Sequence, residues 1–98
     1  MNNARRRAIK RVITQLESLA EEYKVKLNDI QNEVESIQSD EQDALDNIPE
    51  NLMGSDRYSA IEEASGYLDE AVSAFDEALS SVDDSVQQIT SSLEDAST

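Results

Sequence analysis

Four acidic doublets stand seven residues apart: Glu62-Glu63, Asp69-Glu70, Asp76-Glu77 and Asp83-Asp84. On a helix a seven-residue step is two turns, about 10.5 Å, so the doublets fall on one stripe. Ser59, Gly66, Ser73 and Ser80 lie among them, and almost no Lys or Arg stands at i±4 to neutralise them. The chemistry open to such a stripe is electrostatic. Its eight carboxylates over about 33 Å give about one charge per 4 Å, against one per ~1.7 Å in B-DNA. A dimer would come closer to the duplex value. One reading is a solubilising outer face. The functional reading is an anionic rod that engages a basic groove on another protein.

Other chemistry has little to work with. The chain has no His, Cys or Trp, which removes the commonest general base, thiol chemistry, disulfides and zinc sites. A catalytic carboxylate pair needs burial to shift its pKa, and these carboxylates are expected in solvent. Asp40-Glu41-Gln42-Asp43 has no Gly at the turn position of a calcium loop and falls within a predicted helix. No catalytic residue, cofactor or metal is expected, and the chain reads as a non-enzyme. Acids outnumber bases 22 to 8, for a net charge of −14, which disfavours direct binding of nucleic acid. No apolar run approaches the roughly 18 residues of a membrane span. The Arg-rich start runs into Ala8-Ile9-Lys10-Arg11-Val12-Ile13, where charge interrupts any signal-peptide pattern.

The stripe needs a long helix to carry it. Leu, Ile, Val and Phe make up 22 of 98 residues, near the composition of disordered chains. Periodicity decides for order. Stepping by four and three from Ile9 gives Ile13, Leu16, Ala20, Tyr23, Leu27, Ile30, Val34, Ile37, Glu41, Ala44 and Ile48. This is a heptad seam, with Ile13, Ala20, Leu27, Val34, Glu41 and Ile48 at a. Glu41 is the polar exception. A second seam places Tyr58, Ser65, Val72, Leu79, Val86 and Leu93 at a, with Ile61, Leu68, Phe75, Val82, Ile89 and Ala96 at d. The core is expected on Leu16, Tyr23, Leu27, Ile30, Leu68, Phe75, Leu79 and Val82. The acidic doublets then occupy e and f of the second helix.

The single proline and one of the two glycines fall between the seams. Pro49 disfavours helical geometry at Ile48, and Ser55 is an expected N-cap after Gly54. The expected organisation is one all-α domain over 1–98, with helix 1 at about 3–47, a turn at about 48–54 and helix 2 at about 55–95. Two such helices joined by a short turn fold back as an antiparallel hairpin. At g, large Val12 and Leu19 are expected to meet small Ala64, Ala71, Ala78, Ser85 and Ser92. The bases of residues 1–26 are expected beside Asp83, Asp84, Glu94 and Asp95. A wide apolar face on helix 2, including Ala60, Tyr67 and Ala74, points to a homodimer, a four-helix bundle or coiled coil.

The turn Asp46-Asn47-Ile48-Pro49-Glu50-Asn51-Leu52, then Gly54-Ser55-Asp56-Arg57-Tyr58 and the repeated acid-Ala heptads, resembles small acidic two-helix proteins of Gram-positive bacteriophages, prophages and conjugative elements. The basic opening Ala4-Arg5-Arg6-Arg7-Ala8-Ile9 is similar too. The resemblance covers most of the chain. It implies a cytoplasmic protein of a host bacterial cell. It also raises an anti-defence role, since such small acidic proteins include inhibitors of restriction and CRISPR nucleases. The implied partner is a host protein with a basic surface. A phage assembly or scaffold-chaperone protein working through its apolar face is the alternative. The hairpin is also similar to helical-hairpin proteins secreted by the type VII route. Their Trp-x-Gly turn is replaced here by Ile48-Pro49-Glu50-Asn51, and Tyr67 is followed four residues on by Ala71 where they carry an acid.

Overall fold

The computed structural model describes residues 2–52 and 54–98. Among them the fold is all-α: α1 spans Asn3–Asp46, a short 3-10 turn covers Glu50–Leu52, and α2 spans Asp56–Ala96. No Gly or Pro interrupts the 44 residues of α1, so its backbone ladder is continuous. Asn2 caps its start, Oδ1 accepting from the Arg5 N–H at 2.8 Å. Beyond α1 the turn closes on itself. The Leu52 N–H donates to the Pro49 carbonyl at 2.8 Å, and the Ser55 N–H to the Leu52 carbonyl at 3.0 Å. Ser55 caps α2, its Oγ accepting from the Tyr58 N–H at 3.3 Å.

Two compact units make up the chain. Unit 2, Asn28–Asp76, holds the turn and the helix segments that flank it, packed antiparallel as a hairpin. Unit 1 pairs the chain up to Leu27 with Glu77–Thr98. In unit 1 the Arg6 guanidinium donates through Nε to the Ser97 carbonyl at 3.0 Å. A cation there meets the negative end of α2.

Packing in both units follows the expected a positions of α1, with Ile13, Ala20, Leu27, Val34, Glu41 and Ile48 all buried or half-buried. The other half of the α1 seam differs from expectation. From residue 20 onward the shielded positions are Lys24, Gln31, Gln38 and Leu45, one residue later than Tyr23, Ile30, Ile37 and Ala44. Tyr23 and Ile30, expected in the core, are 44% and 51% exposed. An untwisted helix drifts about 20° per heptad against a strict seven-residue repeat, and one extra step of four absorbs that drift. α2 keeps its expected seam from Tyr58 to Val86, including Leu68, Phe75, Leu79 and Val82, and then slips too: Thr90 and Ser97 replace Ile89 and Ala96.

The expected large-to-small contact at g does not form. Ala64, Ala71 and Ala78 are half-buried, but Val12 and Leu19 are 47% and 63% exposed. Within the expected wide face of α2, Ala60 and Ala74 are exposed and Tyr67 is 63% exposed, so α1 covers only part of it. Only Ala20, Ile48 and Gln31 are buried among the described residues.

Candidate functional site

The eight carboxylates of the α2 stripe are all exposed, yet the e and f rows have different surroundings. The e row lies against α1. In unit 2, Gln38 Nε2 donates to Asp69 Oδ1, and Gln31 Nε2 donates to Asp76 Oδ1 at 2.8 Å. Gln31 also reaches the Val72 carbonyl at 3.4 Å. In unit 1, Lys24 Nζ lies 2.8 Å from Asp83 Oδ1 and 3.4 Å from Glu21. The donors Lys24, Gln31 and Gln38 are successive e positions of α1, and their acceptors are successive e positions of α2, read in reverse. Each unit thus sets polar partners beside its helix pairing: Lys24 in unit 1, Gln31 and Gln38 in unit 2. Beside them the d positions Tyr23, Ile30 and Ile37 are exposed.

The f row is different. Glu63, Glu70, Glu77 and Asp84 are exposed, and no ion pair or side-chain hydrogen bond engages them among the described residues. Seven-residue spacing sets them about 10.5 Å apart along α2. Glu62, the first acid of the e row, is exposed as well. The stripe predicted from sequence is therefore two rows: an inner row of Asp69, Asp76 and Asp83 shared with α1, and an outer row open to solvent.

Electrostatically the inner row is only part-neutralised. The Lys24 ammonium is held above its ordinary value, first by its hydrogen bond to Asp83 and then by that to Glu21. Gln31 and Gln38 orient their acids and bring no charge. In unit 2 an open groove of about 320 Å³, lined by Glu35, Gln38, Gln42, Asp43, Ser65 and Asp69, adds further carboxylates beside the inner row.

Unit 1 carries the opposite sign beside the first turns of α1. A groove of about 500 Å³ there is lined by Asn3, Arg6, Arg7, Lys10, Ser97 and Thr98. Of the acids expected beside the bases of residues 1–26, Asp83 pairs with Lys24; no ion pair reaches Asp84, Glu94 or Asp95 among the described residues, and Arg6 takes the Ser97 carbonyl.

Among the described residues no three acids are grouped to hold a metal ion, and no helix is long and apolar enough to cross a membrane. Comparison with known proteins finds no family model, no curated protein and no solved structure that matches this chain. Sequence reasoning missed the donor column Lys24, Gln31 and Gln38. The signal was present: three long hydrogen-bond donors at one heptad position, facing an all-acid column at the matching position of the antiparallel helix.

Proposed function

We propose that the chain is a non-catalytic interaction protein of a bacterial mobile element. It blocks a basic, nucleic-acid-binding surface of a host defence protein, with the outer carboxylates of α2 in place of a phosphate backbone. The observation behind this reading is the outer row. Glu63, Glu70, Glu77 and Asp84 are exposed at regular spacing and lack a neutralising cation. An ordinary solvated helix mixes both signs at i±4. The inner acids Asp69 and Asp76 are held in place by amides and not by a cation, which adds ordered carboxylates beside the row.

The protein acts in the cytoplasm of the host cell under this reading, and it works as a homodimer, a four-helix bundle or coiled coil. A dimer doubles the carboxylate rows available to a basic groove. Complementary charge of this kind sets association rate and specificity, and salt weakens it. Neutralising the outer row and measuring capture of nucleic-acid-binding proteins from a bacterial lysate tests the reading. Retained capture by the neutralised variant contradicts it.

A second reading, an assembly or scaffold protein, is favoured by a different observation. Val12, Leu19, Tyr23, Ile30, Ile37 and Tyr67 are 44–63% exposed. Under it, Tyr67→Ser abolishes partner binding and the outer row is dispensable.

A further inference from the structure

We propose that unit 2 seats a cationic amphipathic helix of a partner protein on an apolar strip, on the flank opposite its Gln–Asp bonds. The inference goes beyond both readings above, drawing apolar residues from one and carboxylates from the other. In an antiparallel helix pair the e columns share one flank and the g columns the other. Gln31–Asp76 and Gln38–Asp69 occupy the e flank and set the register of the unit. The g flank holds Ala64 and Ala71 of α2, half-buried, and beside them the d residues Ile30 and Ile37 of α1, 51% and 52% exposed. Next outward on α2 stand Ala74, which is exposed, and Tyr67, 63% exposed. The register sets Ile37 level with Tyr67 and Ala71, and Ile30 level with Ala74. Single exposed apolar side chains are ordinary, but here both helices of one unit contribute them to the same flank.

The strip has an acidic rim on each side. At about 3.6 residues per turn, the column beyond d on α1 is g, with Glu33 and Asp40, and the column beyond c on α2 is f, with Glu63 and Glu70. All four are exposed, and no ion pair engages them among the described residues. Over the whole unit, residues 28–76, 14 acids stand against one base, Arg57, which lies two turns before Ala64. Charge therefore selects the occupant. A second copy of unit 2 is repelled, and so is phosphate, whether of nucleic acid or of lipid. A helix with an apolar face between two basic edges matches the strip and both rims. Apolar anchors at i, i+3 or i+4, and i+7 of such a helix span about 10.5 Å, the axial distance from Ile30 to Ile37. The rims set association rate and specificity, and apolar contact supplies affinity.

The probes are two labelled Leu/Lys peptides of one composition, each about five helical turns long. One is ordered so that Leu falls on a single helical face, and the other is scrambled. Fluorescence anisotropy at about 0.15 M salt is expected to show wild type binding the amphipathic peptide at least about 10-fold more tightly than the scrambled one. Ile37→Ser combined with Tyr67→Ser is expected to remove that preference at unchanged helicity. Ile30→Ser repeats the measurement should the double variant lose helicity. Glu33→Gln combined with Asp40→Asn is expected to weaken binding of the amphipathic peptide by at least about 3-fold and to lessen its salt dependence. Equal binding of the two peptides by wild type, or a preference that survives the apolar variants, overturns the site. Self-association of wild type, read by sedimentation equilibrium, that the double variant abolishes gives the strip to a second copy and overturns the cationic partner. The mimicry reading fails separately, when a neutralised outer row still captures its nucleic-acid-binding protein; a lost peptide preference leaves that reading standing.

Discussion

Gln31 donates its side-chain amide to Asp76 across the hairpin at 2.8 Å, and it is the one buried polar side chain among the described residues. Its removal separates hydrogen bonding from packing. Gln31→Ala deletes the bond and leaves a gap, at a cost of about 1–2.5 kcal/mol. Gln31→Leu fills the site with apolar volume, and exposed Asp76 returns to water, so its stability is expected within about 1 kcal/mol of wild type. Urea denaturation reads both. Equal, large losses for the two variants would contradict this assignment.

Thr90 tests the slipped register at the end of α2. Its Oγ1 is buried with no hydrogen-bond partner, while Ile89 beside it is 44% exposed. Thr90→Val removes an unpaired hydroxyl and keeps its shape, with an expected gain of about 0.5–2 kcal/mol. Ile89→Ala is expected to cost under about 1 kcal/mol in the protomer. The reverse pattern, a costly Ile89→Ala and a neutral Thr90→Val, restores Ile89 to the seam.

Lys24 gives the hairpin an alkaline signature. Hydrogen bonds to Asp83 and then Glu21 raise its pKa above 10.5. The folded state therefore holds this proton more tightly than the unfolded chain. The stabilisation is complete below the unfolded value of about 10.4 and is lost as pH rises through the folded value. Thermal melts above pH 10.5 are expected to fall faster for wild type than for Lys24→Gln. Parallel curves would remove the Lys24–Asp83 pair from the account of stability.

Phe75 and Leu68 lie on the seam but are only half-buried, and no side chain among the described residues is fully buried. Truncation is therefore expected to cost less than the ~3–5 kcal/mol of a fully buried Phe. Phe75→Ala is expected to lose about 2 kcal/mol and Leu68→Ala about 1.5 kcal/mol. Losses below about 0.5 kcal/mol at both positions would place the core elsewhere.

The seam of α2 through Val86 and the a column of α1 were legible because apolar spacing alone determines which face is buried. The hairpin was legible because one Pro-containing break divides two long periodic segments. The d column of α1 was not. Tyr23, Ile30 and Ile37 satisfy the seven-residue pattern as well as any core residues, and hydrophobicity cannot tell a pairing face from a neighbouring apolar one. The rotation follows from helical drift together with amide-to-carboxylate bonds, and neither is counted in an apolar pattern. The acidic stripe was legible as a sequence feature, but its division into two rows was not. That division depends on which flank of α2 meets α1.

The most direct test of the mimicry reading neutralises the outer row alone. Glu63→Gln, Glu70→Gln, Glu77→Gln and Asp84→Asn together leave the inner hydrogen bonds intact, and net charge falls in size from −14 to about −10. Circular dichroism is expected to be unchanged. Wild type and the quadruple variant are immobilised and exposed to a Gram-positive bacterial lysate, at about 0.05 M and about 0.5 M salt, with and without competing duplex DNA. The expected result is a nucleic-acid-binding protein captured by wild type at low salt only, displaced by duplex DNA and absent from the variant. Equal capture by wild type and variant, insensitive to salt and to DNA, would contradict the mimicry reading and reduce the outer row to a solvated face.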